Sequence, residues 1–431
     1  MRLTCLTLLV SVSCLPSLAQ EVAKLDRTTQ EKLNVIGGKM SAAMLAEDQA
    51  EVRLQFKEAI ELIGDQAGLP ESPDEFRPVP KDARDLAASE LPTAFDLYIP
   101  YIERQKWWRI GLDPSKTNHS LREIAAVIEG CLAARQISEA NSAKLLAIAR
   151  EAGDFLVWAQ DQAGTGVLPF PAVRDGKGRP FEVAEAFYRR AEQNGTLDKV
   201  ISKGWSVDDF DDGGLQFDNG LAGVALVHLY ESTDDEQYER AAIRAADWAV
   251  SRRVVTNWNY NSFSVYLLAE TYRITGDEKY LASAKKKALL GVLPGQLTDG
   301  PRRGRWADPH NARPAYHYIM VRGLAALAAV MPDDDPDQAA IVECLRLALS
   351  ARNPDFQKGI FNADSSVEAL IRVKMLPPNV ATKLTECKTD EALATLERYA
   401  AEAFRVRKAP LGPAAWGQLL AYKYQSHAGK R

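Results

Sequence analysis

Residues 225–249, ALVHLYESTDDEQYERAAIRAADWA, and residues 267–288, LLAETYRITGDEKYLASAKKKA, carry one pattern twice, 42 positions apart. Tyr230 matches Tyr272, Thr233 matches Thr275, Asp235-Glu236 match Asp277-Glu278, Tyr238 matches Tyr280, and Ala242 and Ala246 match Ala284 and Ala288. Asn219 and Asn261 keep the same offset ahead of the two apolar runs. Each copy reads as a helix, a short polar turn and a second helix with Tyr and Ala on one face. In Thr275-Gly276-Asp277 the glycine accepts positive φ at the end of one helix and the aspartate caps the next. One hairpin cannot bury its apolar face alone, so such units stack around a shared core.

The same period extends outward from the repeat. Leu121, Ile124, Ala125, Val127, Ile128 and Leu132 recur at three- and four-residue spacing, and strict alternation over strand length is hard to find. The chain is expected to be all-α, with helices over 22–45, 47–63, 120–136, 138–162, 182–194, 219–231, 235–253, 261–274, 277–290, 313–330, 336–351, 364–374, 390–405 and 413–425. A Pro-rich stretch, Gly68 to Pro100, interrupts this order, and long irregular segments fall at 163–181, 203–218 and 291–311. Long loops in a compact domain usually carry function. The expected organisation is a leader at 1–19, N-terminal helices and a Pro-rich strap at 20–118, and stacked hairpins at 119–431.

Composition narrows the classes. Of 431 residues 46% are hydrophobic and 26% charged, which excludes disorder, collagen and coiled coil. With 53 Lys and Arg against 58 Asp and Glu, the net charge of -5 argues against a nucleic-acid or anionic-membrane partner. Met1-Arg2, the apolar run Leu3 to Leu15 and Ser17-Leu18-Ala19 read as a secretory leader cut before Gln20, so export and no membrane association afterwards are expected. Cys131, Cys344 and Cys387 would remain, allowing at most one disulfide. No CxxC, HExxH or Gly-rich phosphate loop occurs, and five histidines give no transition-metal cluster. No cofactor is implied.

The two hairpin stretches resemble the repeated hairpins of the (α/α) toroids: the six-hairpin glycosidases and the related toroid polysaccharide lyases. The resemblance is clear over roughly residues 180–350. It implies an (α/α)6-type toroid whose inner helices start at one end, where long loops enclose a carbohydrate-binding cleft. The register agrees, since Asn219 and Asn261 both precede an apolar helix and the loops before them must share that end.

Three loops hold the candidate chemistry. Residues 204–219 contain Trp205 and the aspartates Asp208, Asp209, Asp211, Asp212 and Asp218, ahead of Asn219. Clustered carboxylates suit a general acid and base, turn capping, or calcium, and the aromatic rings suit sugar stacking. Residues 256–261 alternate Asn257, Asn259 and Asn261 with Trp258 and Tyr260, more amides than one cap requires. That segment looks like the Asn-rich helix start of toroid lyases, where an amide contacts the sugar carboxylate, although no His follows directly. Residues 299–318 concentrate Arg302, Arg303, Arg305, Arg313, His310, His317, Tyr316 and Tyr318 with Trp306 and Asn311. Arginine forks pair with carboxylates, and His or Tyr moves protons.

Three functions are open from the sequence. The leading one is β-elimination in a uronate-containing polysaccharide, with Arg302, Arg305, Arg313 and Asn261 on the carboxylate and His310, His317 or Tyr318 on the proton. The second is glycoside hydrolysis by two of the aspartates, Asp208 and Asp209 foremost. The third is a glycan-binding toroid without catalysis.

Overall fold

The computed structural model describes residues 22–428 apart from residues 75, 81, 407 and 409, so the leader read in residues 1–19 lies outside the described residues. α1 (Arg27–Leu45) and α2 (Gln49–Ile63) form an N-terminal hairpin. After the strap come α3 (Leu91–Ala94) and α4 (Tyr98–Gln105), then α5 (Leu121–Ala134) and α6 (Ser142–Ala163). An excursion holds α7 (Arg179–Gln193) and α8 (Leu197–Val200). The repeat forms α9 (Leu215–Thr233), α10 (Glu236–Ser251), α11 (Trp258–Thr275) and α12 (Glu278–Gly291). α13 (Pro314–Val330), α14 (Gln338–Phe356), α15 (Ala363–Lys374), α16 (Pro378–Ala381), α17 (Thr389–Arg405) and α18 (Pro413–Ala428) complete the chain.

The turns follow from the residues read in the repeat. Asp235 accepts from the Gln237 N–H and Asp277 from the Lys279 N–H, each at 3.1 Å, and Gly276 ends α11 at φ 66°. The hairpins then close into a ring. α5, α9, α11, α13, α15 and α18 pack in sequence, and α18 returns to α5. α6, α10, α12, α14 and α17 alternate with them in the chain and pack outside. α4 fills the remaining outer place, burying Tyr98, Ile99 and Ile102, while Trp416 of α18 donates its indole N–H to the Ala94 carbonyl at 3.0 Å. The protein is an all-α toroid of six hairpins.

An inner helix is covered on every side, which is why α9, α11 and α13 are buried around nearly their whole circumference, their polar side chains included. Ring closure relies on Gly130 and Gly417, where the backbones of α5 and α18 meet; a Cβ on Gly130 would strike the Pro413 carbonyl. Met40, Val52, Leu91, Phe95 and Tyr98 join the apolar cluster of the ring because the strap and α4 wrap its outer surface.

The ring encloses a polar plug. Glu129 of α5, His228 of α9, Tyr266 and Glu270 of α11, Arg322 of α13, and Glu368 and Arg372 of α15 meet in its interior. α9 and α15 are not neighbours in the ring, so the 3.4 Å contact between His228 and Arg372 crosses the lumen. These side chains come from beyond the first turns of the inner helices, which leaves those first turns to form a blind mouth. Among the described residues no helix is long and apolar enough to cross a membrane.

Candidate active site

The first turns of the inner helices meet at one cleft of about 260 Å³. α5 brings Arg122, the α9 entry brings Asp209, Asp212, Phe217 and Asp218, α11 brings Tyr260, and the α13 entry brings His310 and Tyr316. The excursion forms the facing wall with Phe170, Arg179, Phe187, Tyr188 and Arg190. It is braced by β1 (Phe170–Pro171), β2 (Ile201–Ser202) and β3 (Trp205–Ser206), an antiparallel sheet in the order β1-β3-β2. A small apolar cluster of Ala172, Ala191 and Val200 with the Tyr188 ring holds α7 in place.

Three carboxyls face this space. Asp218, 2% exposed, accepts from the Arg122 backbone N–H and pairs with its guanidinium, both at 3.2 Å. Burial nevertheless raises its pKa, against the pull of Arg122. The Arg122 guanidinium in turn lies 3.9 Å from the Phe217 ring centroid. Asp209, 5% exposed, is oriented by the Leu215 N–H at 2.9 Å and the Asp211 N–H at 3.1 Å. Burial raises its carboxyl, and neighbouring Asp212 raises it further. Asp212 keeps solvent contact but sits inside the concavity, and the surrounding protein raises it as well.

Two further groups complete the acid–base inventory. The Tyr260 hydroxyl is pushed up to about 12 by burial and by Asp212. Its ring rests on Gly213, whose φ of 95° and absent Cβ admit it; a Cβ there would lie 2.9 Å from Tyr260 Cδ2. His310 is held below the ordinary imidazole value by burial and by Arg313, despite Glu71 at 3.3 Å. Its ring packs 4.4 Å from that of Tyr316.

Most of the expected sugar contacts are elsewhere. Trp205, Trp258 and Trp306 are core residues: Trp205 packs on Phe155 and Trp158, Trp258 on Phe56, and Trp306 donates to the Val292 carbonyl at 2.9 Å. Asn219 and Asn261 are structural staples in equivalent positions. Asn219 accepts from the Leu168 N–H and donates to the Ala245 carbonyl of α10. Asn261 accepts from the Val255 N–H and donates to the Gly291 carbonyl at the end of α12. Each ties an inner helix start to the outer helix that follows, which consumes the amide. Asn257, Asn259 and Asn311 bond one another and Asp308 in a compact amide cluster.

The proton-transfer set also changes. His317 is fully buried, its Nε2 3.0 Å from the Ala348 carbonyl and its ring against Trp306. Burial and the nearby Arg352 keep it neutral. Tyr318 is buried and donates to Asn353 Oδ1 at 2.8 Å. Neither lines the cleft, because both point from α13 toward α14. Arg305 pairs with Asp355 at 3.2 Å beside Arg352, and Arg302 donates to the Asp65 carbonyl at 3.0 Å. Asp208 turns away to Arg252, and Asp211 to Arg252 and Arg253, so the five aspartates do not gather around a calcium ion. Among the described residues no group of three or more His, Cys, Asp or Glu side chains is placed to hold a metal. Of the residues expected at the site, Asp209, Asp212, Asp218, His310 and Tyr316 line the cleft together with Tyr260, and Arg313 borders it through Tyr316, over whose ring it lies at 4.3 Å.

Sequence reasoning misses Arg122, Arg179, Arg190, Tyr188 and Phe187. Arg122 stands in the first turn of an expected helix, so extending the shared-mouth argument to residue 120 finds it. Arg179 and α7 carry no such signal, since the excursion lies outside the repeat.

A closed ring of six helical hairpins with a blind, aromatic-walled cleft at the inner-helix starts defines the structural class. No known family and no curated protein matches the chain by sequence. Among solved structures it is similar to a polysaccharide lyase, with 13% identity, 79% of this chain and 98% of that one covered, and a TM-score of 0.46. It is also similar to a glycosyl hydrolase family 88 protein from Bacteroides vulgatus, with 10% identity, 79% and 99% covered, and a TM-score of 0.47.

Proposed function

We propose that the chain is an exported carbohydrate-active enzyme that hydrolyses glycosidic bonds in a uronate-containing glycan, with Asp212 and Asp209 as its acid and base. The observation that supports this is the like-charged pair Asp209 and Asp212, both raised in pKa, in a cleft that also holds three arginines. Burial raises both carboxyls and Asp212 raises Asp209 further; in a pair of carboxyls of this kind one donates to the leaving oxygen while the other activates water. Asp212 keeps solvent contact and reaches the open cleft, so it is the donor. Arg122, Arg179 and Arg190 attract an acidic sugar, and Phe170, Phe187 and Phe217 offer its apolar face a surface.

One observation favours elimination as a second reading. His310 is held below the ordinary imidazole value, lies in the cleft and touches Tyr316, and a neutral imidazole can remove the proton beside a carboxylate. Incubation of the purified protein with uronate and neutral polysaccharides separates the two. New reducing ends without ultraviolet absorbance support hydrolysis; reducing ends with the absorbance of unsaturated uronides support elimination. Silence in both channels across the panel contradicts both and returns the chain to glycan binding.

A further inference from the structure

Glu71 in the strap between α2 and α3 places a single carboxylate oxygen against three basic groups. Its Oε1 lies 3.2 Å from Arg313 Nη1, 3.3 Å from Arg179 Nη2 and 3.3 Å from His310 Nδ1. Arg179 opens α7 on the excursion side, whereas His310 and Arg313 precede α13 on the opposite side. The three groups come together only because the toroid mouth and the excursion face each other. Arg179 and His310 line the main cleft, and Arg313 lines a second hollow of about 220 Å³ with Ser72, Asp74 and Phe361. Tyr316 borders both spaces, and Arg313 lies over its ring at 4.3 Å.

This arrangement suits an oxyanion: guanidinium groups from two separate elements converge on it, beside a ring nitrogen, His310 Nδ1, that also lies 3.1 Å from Arg313 Nη2. Although partial burial opposes ionisation, Arg313, His310 and Arg179 hold the Glu71 carboxyl below the usual range, so it is an anion here. Its backbone is fixed independently of the side chain. The Glu71 N–H donates to the Pro309 carbonyl at 2.9 Å, and Gly68 N–H donates to the Ala307 carbonyl at 2.8 Å. Rotation about the side-chain bonds alone therefore frees the three basic groups, with the strap left in place.

We infer that Arg179, His310 and Arg313 form a carboxylate-binding subsite which Glu71 fills from within the chain, and that a uronic acid residue binds there by displacing the Glu71 side chain. The substrate class rests on the function proposed above. The exchange trades one carboxylate for another, so no guanidinium is left desolvated and unpaired on either side of it. It also rejects neutral glycans, because a hydroxyl cannot replace the charge that Glu71 withdraws. Glu71 is in this sense a specificity-determining residue.

Calorimetric titration with sodium glucuronate, glucose 6-sulfate and glucose tests this on the full chain, its E71A and E71Q variants, and E71A combined with R313A. Removing an internal competitor that occupies the site nine-tenths of the time tightens apparent affinity about tenfold. The expected result is that tightening for glucuronate in E71A, the same direction in E71Q, no change for glucose, and loss of glucuronate binding in the double variant. Tightening for glucose 6-sulfate alone would contradict a carboxylate site. Equal or weaker glucuronate binding in both Glu71 variants, with melting temperatures unchanged, would overturn the inference. Binding is read without turnover, so the two claims fail separately. A chain that shows the Glu71 effect but cleaves no polymer contradicts the enzyme; one that cleaves uronate polymers without the effect contradicts the subsite.

Discussion

The imidazole of His228 on α9 meets the carboxylate of Glu129 on α5 at 2.6 Å inside the ring of inner helices. Burial opposes the charged imidazole, but Glu129 and Glu270 more than offset it, and its pKa is raised to about 10. The folded value lies above the unfolded one of about 6.5, so the stabilisation is complete below pH about 6.5 and is lost as pH rises toward 10. Thermal melting should therefore fall more steeply between those limits for the native chain than for H228Q. At pH 6 H228Q should cost on the order of 3 kcal/mol, because it leaves the Glu129 carboxylate inside the ring without its cation, while Glu270 keeps Arg372. Parallel melting curves against pH would contradict the assignment.

His317 is a candidate for proton abstraction by sequence, but its place between Trp306 and the Ala348 carbonyl gives it a packing role instead. H317A should destabilise the fold by about 2 to 4 kcal/mol through the cavity it leaves. At a temperature where the variant stays folded, turnover should remain within about twofold of native. A rate loss of two orders of magnitude with an intact fold would restore the residue to catalysis.

The aspartate-rich loop separates into two sets. D212N removes the proposed donor from the cleft and should lower the rate at least 100-fold, the usual lower range for general acid–base catalysis, with little change in melting. D208N loosens a contact to Arg252 outside the cleft and should leave the rate within a few-fold. Equal losses from the two substitutions would mean that the loop acts as a structural unit.

Gly213 combines positive φ with close approach, since a Cβ at this position would meet Tyr260 and Val255 at 2.9 Å. G213A should cost about 1–2 kcal/mol from the backbone alone. It should also displace Tyr260 from the cleft and raise KM for the polymer, which steady-state kinetics beside a melting curve will resolve.

The hairpin repeat is legible in the sequence because its signals are local. A glycine that ends a helix and an aspartate that caps the next act within a few residues, so the turn at Thr275-Gly276-Asp277 can be placed without a structure. The end of the bundle that forms the mouth follows from register. Which side chains turn into the mouth does not, because that depends on contacts between distant segments. Asn219 and Asn261 stand at the mouth, yet their amides are consumed by carbonyls 26 and 30 residues onward. The tryptophans of the same loops are buried against Phe155 and Trp158, Phe56 and His317. Arg179 and Glu71 are silent in the sequence for the same reason, since each gains its meaning only where the strap, the excursion and the α13 entry converge.

The central claim is that the cleft carboxyls break a glycosidic bond by hydrolysis, and the most direct test compares the native chain with D212N on a uronate polysaccharide, following reducing ends and ultraviolet absorbance together. The account predicts reducing ends without absorbance from the native chain and their near-complete loss in D212N. Absorbance that rises with the reducing ends and survives D212N would contradict it.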